Sequence, residues 1–339
     1  MKVFSLFSGI GAFERALETL NIKYDLMAYS EIDKYASKAY ALIHKVSESL
    51  NLGDITKIDE TKLPKDIDLI TYGFPCQDIS IAGKQKGFAT ADGKTRSGLF
   101  FDALRIIQTT KPRIAIAENV KNLTSKRFKN EFEIVLKSLE DAGYKNYWQV
   151  LNAKDFGIPQ NRERVFIISI RKDIDNYTFK FPEKMPLRLK LKDLLENDVD
   201  EKYYLKKLKN TFIKNSFKQE KNGNGFKFEP HVKNNANYAK TITTRAGGRM
   251  DDNFIIEIDS DKEKIKFANN LLGKNIGNYD ALKIRKLTPT ECFRLMGFSD
   301  KDVQILKENK ISDSQLYKMA GNSIVVNVLV EIFKKLERM

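Results

Sequence analysis

Cys76 stands in Gly73-Phe74-Pro75-Cys76-Gln77, directly after an apolar run, Ile67 to Tyr72, that reads as a β-strand. A thiol on a turn at the carboxyl end of a parallel strand is presented as a nucleophile. A cysteine without that setting is more often core packing, and Cys292, in a helical pattern with Leu295 and Met296, reads that way. Around Cys76 the glycine and proline mark a turn, and Ser80, Gly83, Lys84, Gln85, Lys86 and Gly87 follow as a basic loop. Glu118-Asn119 ends another apolar run, Ile114 to Ala117, at the same expected edge of the sheet. A thiolate with a nearby carboxylic acid supplies the parts for covalent addition to an electron-poor ring.

A second group sits near the amino terminus. The turn Gly9-Ile10-Gly11 follows the short strand Val3 to Phe7, where a parallel sheet binds ligands and where glycine lets the backbone come close. Glu31 closes the next strand, Tyr24 to Tyr29, about 20 residues on, placed to accept hydrogen bonds from both hydroxyls of a ribose. In Gly53-Asp54-Ile55 the carboxylate can accept from an adenine amino group while Ile55 covers the ring. A nicotinamide enzyme would share this pattern. Glu14, however, occupies the third glycine position of G-x-G-x-x-G, so the cradle suits a ligand without a pyrophosphate, such as S-adenosylmethionine.

The elements that must hold these groups alternate. Helical faces at Ala12, Ala16, Leu17 and Leu20, at Tyr35, Ala39, Leu42 and Ile43, and at Phe132, Val135, Leu136 and Leu139 separate the strands, and Trp148 to Leu151 and Val165 to Ile170 add two more. The expected class is α/β, a mostly parallel sheet with helices on both faces. After about Lys172 the character changes, and Lys202 to Lys233 is lysine-rich around Asn222-Gly223-Asn224-Gly225, which reads as a smaller, loop-rich lobe or a solvated insertion. Ile324, Val325, Val328, Leu329, Ile332 and Phe333 return to an amphipathic helix.

Composition sets the outer limits. The 339 residues carry 59 Lys and Arg against 45 Asp and Glu, a formal charge of +14, which favours a polyanionic partner or belongs simply to a soluble basic protein. Two cysteines and two histidines are too few for a disulfide scaffold or a zinc site, so no metal and a reducing, cytoplasmic setting are expected. No apolar run approaches the roughly 20 residues of a membrane span.

Taken in order, these motifs resemble the cytosine-5 DNA methyltransferases of the bacterial restriction-modification type. Phe7-Ser8-Gly9-Ile10-Gly11, Glu31, Gly53-Asp54-Ile55, Gly73-Phe74-Pro75-Cys76-Gln77, Ser97-Gly98-Leu99-Phe100 and Glu118-Asn119-Val120 are similar to the first six elements of that family. Phe156-Gly157-Ile158-Pro159-Gln160-Asn161-Arg162-Glu163-Arg164 resembles its paired-arginine element. Arg285 to Cys292 resembles the prop of its recognition lobe, and Gly321-Asn322-Ser323 its last motif. The match runs nearly end to end and is poor from about Lys172 to Leu282, where that family varies.

The resemblance implies a Rossmann-like S-adenosylmethionine-dependent fold over residues 1–186, completed by a C-terminal helix within 311–339, and a target-recognition domain over 187–310. It implies S-adenosylmethionine as methyl donor and S-adenosylhomocysteine as product, held by Phe7, Gly9, Ile10, Gly11, Glu31, Ile32, Asp54, Ile55, Pro75, Leu99, Asn322 and Ser323. Cys76 would attack C6 of the cytosine, Glu118 would bond N3 and the exocyclic amine, and Arg164 would hold the O2 side with help from Arg162. Asn119 would order the Cys76 turn. Ser80, Lys84 and Gln85 would close behind a flipped base, while Thr241, Thr243, Arg245 and Arg249 would read double-stranded DNA. A monomer is expected, solitary or paired genetically with a restriction endonuclease, without an obligatory complex.

Three rivals have distinguishing features. A transfer-RNA enzyme of like chemistry tends to show Pro-Pro-Cys rather than Pro75-Cys76-Gln77. A catalytically silent DNA-binding protein would lack Cys76 or Glu118. A nicotinamide-dependent oxidoreductase leaves Cys76, Glu118 and Arg164 without a joint purpose.

Overall fold

The structure is a computed structural model that describes residues 1–75, 96–206, 228–257 and 283–337, with 89–90, 93–94, 211–212, 215 and 218 as short pieces between them. Cys76, Ser80, Lys84 and Gln85 lie outside the described residues, as does most of the lysine-rich run.

Two compact units emerge. The first comprises Met1–Asn152, Glu163–Lys184 and Ser323–Met339, and the second Ala153–Arg162 and Met185–Asn322. Residues 153–162 and 311–322, expected with the catalytic part, thus group with the second unit.

In the first unit the elements run β1 (Lys2–Leu6), α1 (Ala12–Thr19), β2 (Asp25–Ser30), α2 (Lys34–His44), β3 (Leu69–Tyr72), the small pair β4 (Ala89–Thr90) and β5 (Gly93–Lys94), and α3 (Phe100–Thr110). They continue as β6 (Ile114–Val120), α4 (Lys129–Asp141) and β7 (Tyr144–Asn152). After β8 (Gln160–Asn161), which belongs to the second unit, comes β9 (Glu163–Arg171). The central sheet has the order β2-β1-β3-β6-β9-β7. The first four strands are parallel, and β9 runs against both neighbours. Sequence order leaves β1 towards β2 and then returns past it to β3, so the strand order reverses beside β1, where open α/β sheets bind ligands.

Apolar alternation explains the layers. Phe4, Leu6, Ile70, Tyr72, Ala115, Ala117, Val165 and Ile167 form one buried cluster with Phe100, Ile106 and Ile107 of α3 and Val135 and Leu139 of α4. The intervening Val3, Ser5, Leu69, Thr71 and Ile116 are also buried, so both faces are covered, as a parallel sheet requires. α8 (Val326–Leu336) packs on α1.

The second unit holds the sheet β10 (His231–Val232), β12 (Phe254–Ile256) and β13 (Ile284–Lys286), and the pairing of β8 with β11 (Ala239–Lys240). Phe212, Phe228 and Phe254 pack with ring centroids 5.1–5.7 Å apart. α5 (Pro289–Arg294), α6 (Asp300–Glu308) and α7 (Asp313–Asn322) follow. Asp313–Leu336, contrary to the expectation of no such run, is long and apolar enough by composition to cross a membrane; it is broken between α7 and α8 at residues 323–325, and most of its apolar window is buried.

The turn after β1 depends on glycine at a definite point. Gly11 has φ +76°, and a Cβ there would lie 2.0 Å from His44 Nε2 and 2.9 Å from the Tyr40 ring. Gly53 has a similar φ of +68° with open space around it. Gly11→Ala should therefore cost about 2–4 kcal/mol in urea unfolding, backbone strain plus overpacking, against about 1–2 kcal/mol for Gly53→Ala. Equal losses at the two positions would show that the His44 contact does not matter.

Candidate active site and recognition loop

The carboxyl ends of β1, β2, β3 and β6 share one edge. Because β9 runs the other way, its first residues arrive at that edge too, with Arg164 opposite Val120 and Phe166 opposite Glu118. Side chains two positions apart on neighbouring strands share a face, and Arg164 Nε lies 3.0 Å from Glu118 Oε1 with both side chains mostly buried. The register Tyr72–Ala117 sets Glu118 level with Gly73, and a Cβ on Gly73 would be 3.6 Å from Glu118 Oε2. The carboxylate thus lies beside Gly73, the first residue after β3.

Asn119 points to the other face and holds Phe74, the next residue. Its Nδ2 donates to the Phe74 carbonyl at 3.1 Å, and its Oδ1 accepts from Val120 N–H at 2.8 Å. Phe74 itself is buried against Phe100, with ring centroids 5.5 Å apart. Phe74, two residues before Cys76, is therefore fixed by packing and a hydrogen bond. Leu99 abuts the same cluster at the start of α3.

The second focus lies at the ends of β1 and β2. Phe7, Gly9 and Gly11 all have positive φ, 51°, 56° and 76°, so the chain turns sharply after β1. Glu31 Oε2 accepts from Gly9 N–H at 2.9 Å and Oε1 from Asp33 N–H at 2.8 Å. Burial raises the Glu31 carboxyl above its ordinary value, opposed by the backbone N–H groups of Asp33, Gly9 and Ile32. Ile32 is 76% exposed beside it, and a Cβ on Gly9 would meet nothing within 4 Å. Asp54 Oδ1 accepts from Thr56 N–H at 3.0 Å and Thr56 Oγ1 at 2.9 Å, bonds that hold its carboxyl below the usual range, and Ile55 is buried.

Sequence reasoning missed the residues that tie these loops together. Asn51 bonds the backbone of Glu31 and Gly53, and Ser30 Oγ donates to the Gly53 carbonyl at 2.7 Å. Behind the glycine turn, His44 Nδ1 lies 2.7 Å from Glu18 Oε1 and Nε2 lies 3.0 Å from the Ile10 carbonyl. Glu14, at the missing third glycine, is fully buried there, and burial raises its carboxyl despite the nearby His44.

In the second unit, the segment Thr241–Arg249 is gripped by its backbone. Gln160 Oε1 accepts from Ile242 N–H at 2.9 Å, and Arg162 donates to the carbonyls of Ile242 at 3.1 Å and Gly321 at 3.0 Å. A Cβ on Gly321 would fall 2.3–2.6 Å from the Thr243–Thr244 backbone. These bonds tie the Arg162 guanidinium to the backbone at residues 242 and 321. Thr241 Oγ1 donates to the Asn161 carbonyl, and Thr243 Oγ1 donates to Asp252. Arg245 is exposed, and Arg249, also exposed, pairs with Asp251 at 3.1 Å. Asn322 is exposed and the adjoining Ser323 is buried at the start of the first unit's last segment. Cys292 is fully buried and burial holds its thiol well above the usual range, so it is inert.

This sheet order, with one reversed strand and a glycine turn and acidic residue after its first two strands, is the S-adenosylmethionine-dependent methyltransferase fold. The solved structure of S. pombe Dnmt2 methyltransferase shares it, at a TM-score of 0.69 and 20% identity over 100% of this chain and 99% of that one. A family model of the C-5 cytosine-specific DNA methylases matches residues 1–338. Orphan methyltransferase M.SPRI of Bacillus phage SPR is 34% identical over 99% of this chain and 97% of its own. Type II methyltransferase M2.ScrFI of Lactococcus lactis subsp. cremoris is 35% identical over 99% of each chain. The chain belongs to the C-5 cytosine-specific DNA methylases.

The buried ion pair of the second unit yields a stability prediction. Arg285 meets both oxygens of Glu291 at 2.8 and 2.9 Å and Glu257 at 2.7 Å, with no exposed side-chain surface. Burial works against the guanidinium charge, but these carboxylates outweigh it and raise the pKa. Glu291 is also the capping-box residue of α5, accepting from Thr288 N–H at 2.8 Å. Arg285→Ala, which strands a buried carboxylate, should cost about 3–5 kcal/mol by urea denaturation; a loss under about 1 kcal/mol would mean the pair is not buried in solution.

Proposed function

We propose that this DNA cytosine methyltransferase transfers a methyl group from S-adenosylmethionine to C5 of a cytosine flipped out of duplex DNA, through a transient bond between Cys76 and C6. The observation that carries the reading is the Glu118–Arg164 pair beside the turn into Cys76.

The first unit is the catalytic domain in this reading. The residues at the ends of β1 and β2 fit the nucleoside part of the donor: the Glu31 carboxylate suits adjacent ribose hydroxyls, and exposed Ile32 and buried Ile55 suit the faces of a base. Phe7, Gly9, Ile10 and Gly11 line the turn, with Asp54, Pro75, Leu99, Asn322 and Ser323 as further contacts. The bound donor supplies an electrophilic methyl group on a sulfonium.

The Cys76 thiolate forms a bond to C6, and the C5=C6 electron pair moves to C5, making it nucleophilic. Glu118 donates a hydrogen bond at N3 and accepts from the exocyclic amine, so charge developing on the ring is offset. Arg164 holds O2 while staying against Glu118. After methylation, loss of the C5 proton re-forms the double bond and expels Cys76. The second unit reads the duplex, with Thr241, Thr243, Arg245 and Arg249 as candidates, and the Ser80, Lys84 and Gln85 loop fills the space behind the base. The chain acts as a cytoplasmic monomer.

A duplex carrying 5-fluorocytosine tests the mechanism, because the fluorine that replaces the C5 proton cannot be lost as a cation, so Cys76 is not expelled. With donor present, wild type should form a covalent adduct stable to denaturation, and Cys76→Ser should bind the DNA but form none. Glu118→Gln should slow methylation about 10²–10⁴-fold. No adduct with wild type would end the proposal.

Glu31 gives a pH dependence with a definite sign. The ribose needs the carboxylate, whose pKa burial raises, so affinity for S-adenosylhomocysteine should fall on acidification, starting at a higher pH than free glutamate titrates. Calorimetry from pH 8 down to pH 5 (approximate limits chosen around the ordinary carboxylate range) should show this in wild type and a flat, weaker profile in Glu31→Gln. A flat wild-type profile would remove Glu31 from the cofactor site.

A further inference from the structure

Every hydrogen-bonding capacity of the Asn51 side chain is used, mostly on the backbone of two loops. Oδ1 accepts from Glu31 N–H at 3.0 Å and from Gly53 N–H at 2.9 Å. Nδ2 donates to the Glu31 carbonyl and to Ser37 Oγ, both at 2.9 Å. A flipped amide would set its NH₂ against two N–H donors and its oxygen against a carbonyl, so the partners fix its orientation. Glu31 is thereby held by both its backbone polar groups, and the same oxygen ties it to Gly53, the first residue of Gly53-Asp54-Ile55. Leu52 N–H donates to the Tyr29 carbonyl at 2.8 Å, and Ser8 N–H to the Ser30 carbonyl at 3.1 Å, which extends the tie back to the glycine turn.

We propose that Asn51 is the positioning residue of the ribose site: by holding both backbone polar groups of Glu31 it sets the carboxylate where adjacent ribose hydroxyls require it. This rests on the reading of Glu31 as the ribose acceptor. Asn51 acts through Glu31, so its loss weakens ligands in proportion to what the ribose hydroxyls contribute. The rate at saturating donor is unaffected, because Glu118 and Arg164 are carried by other strands.

The test uses the full chain and two ligands, S-adenosylhomocysteine and its 2′,3′-dideoxy analogue, by calorimetry. Asn51→Ala should weaken S-adenosylhomocysteine about 10-fold or more, change the dideoxy analogue less than about twofold, and raise the KM for S-adenosylmethionine while kcat holds. In a Glu31→Ala background the further change Asn51→Ala should have almost no effect, since both act through one contact. Asn51→Asp keeps the two acceptor bonds and should show a smaller loss with the same ligand dependence, which keeps the test valid if Asn51→Ala folds poorly. Equal losses for both ligands, or losses that add to those of Glu31→Ala, would overturn the assignment. Wild type that binds S-adenosylhomocysteine and its dideoxy analogue equally well would instead overturn the ribose reading on which it stands.

Discussion

A parallel sheet presents the ends of its strands on one edge, and that constraint governs the first unit. β1, β2, β3 and β6 deliver the glycine turn, Glu31, the turn into Cys76 and Glu118 to the same edge. A further parallel strand would deliver its last residues there. Instead β9 is reversed, so what reaches the edge is its beginning, and Arg164 comes to lie two residues from the partner of Glu118 on a shared face. The ion pair of the site is thus a consequence of strand direction. With β9 parallel, the start of the strand would lie at the opposite edge.

Three buried or half-buried carboxylates near this edge have different partners, and partners decide their tasks. Glu14 is enclosed behind the turn with His44 near it, and burial favours its neutral form. Glu31 is opposed in the same way but receives backbone N–H groups, which favour the anion an acceptor of hydroxyls needs. Glu118 lies against the guanidinium of Arg164. The sequence separates these residues only by position, whereas the fold separates them by what surrounds each.

Much of this was legible in the chain because the signals are local. Apolar runs ending in Gly9, Glu31, Gly73 and Glu118 place each group at a strand end, and the observed strands begin or end within a few residues of those runs. The reversal of β9 left no local mark, since Val165 to Ile170 is an apolar run whichever way it points. Asn51 and Ser30 were overlooked for a related reason: they act on backbone 20 or more residues away, at Glu31 and Gly53 respectively. Residues 153–162 were expected with the catalytic part because they adjoin Arg164. Their bonds run to Ala239, Ile242 and Leu295, so contact assigns them to the other unit.

The grip on residues 241–249 has a further consequence for how a family can change the DNA it reads. Gln160 holds the amide of Ile242, Arg162 its carbonyl, and Gly321 admits the backbone of Thr243 and Thr244 where any side chain would collide. All three contacts address main-chain atoms. A main-chain bond survives substitution of the side chain that shares its residue, so these three contacts do not depend on the groups the segment displays, whereas the hydroxyls of Thr241 and Thr243 are themselves bonded within the unit. If the exposed Arg245 and its neighbours meet bases, as proposed, a new set of side chains can be tried at these positions while Gln160, Arg162 and Gly321 keep the segment in place.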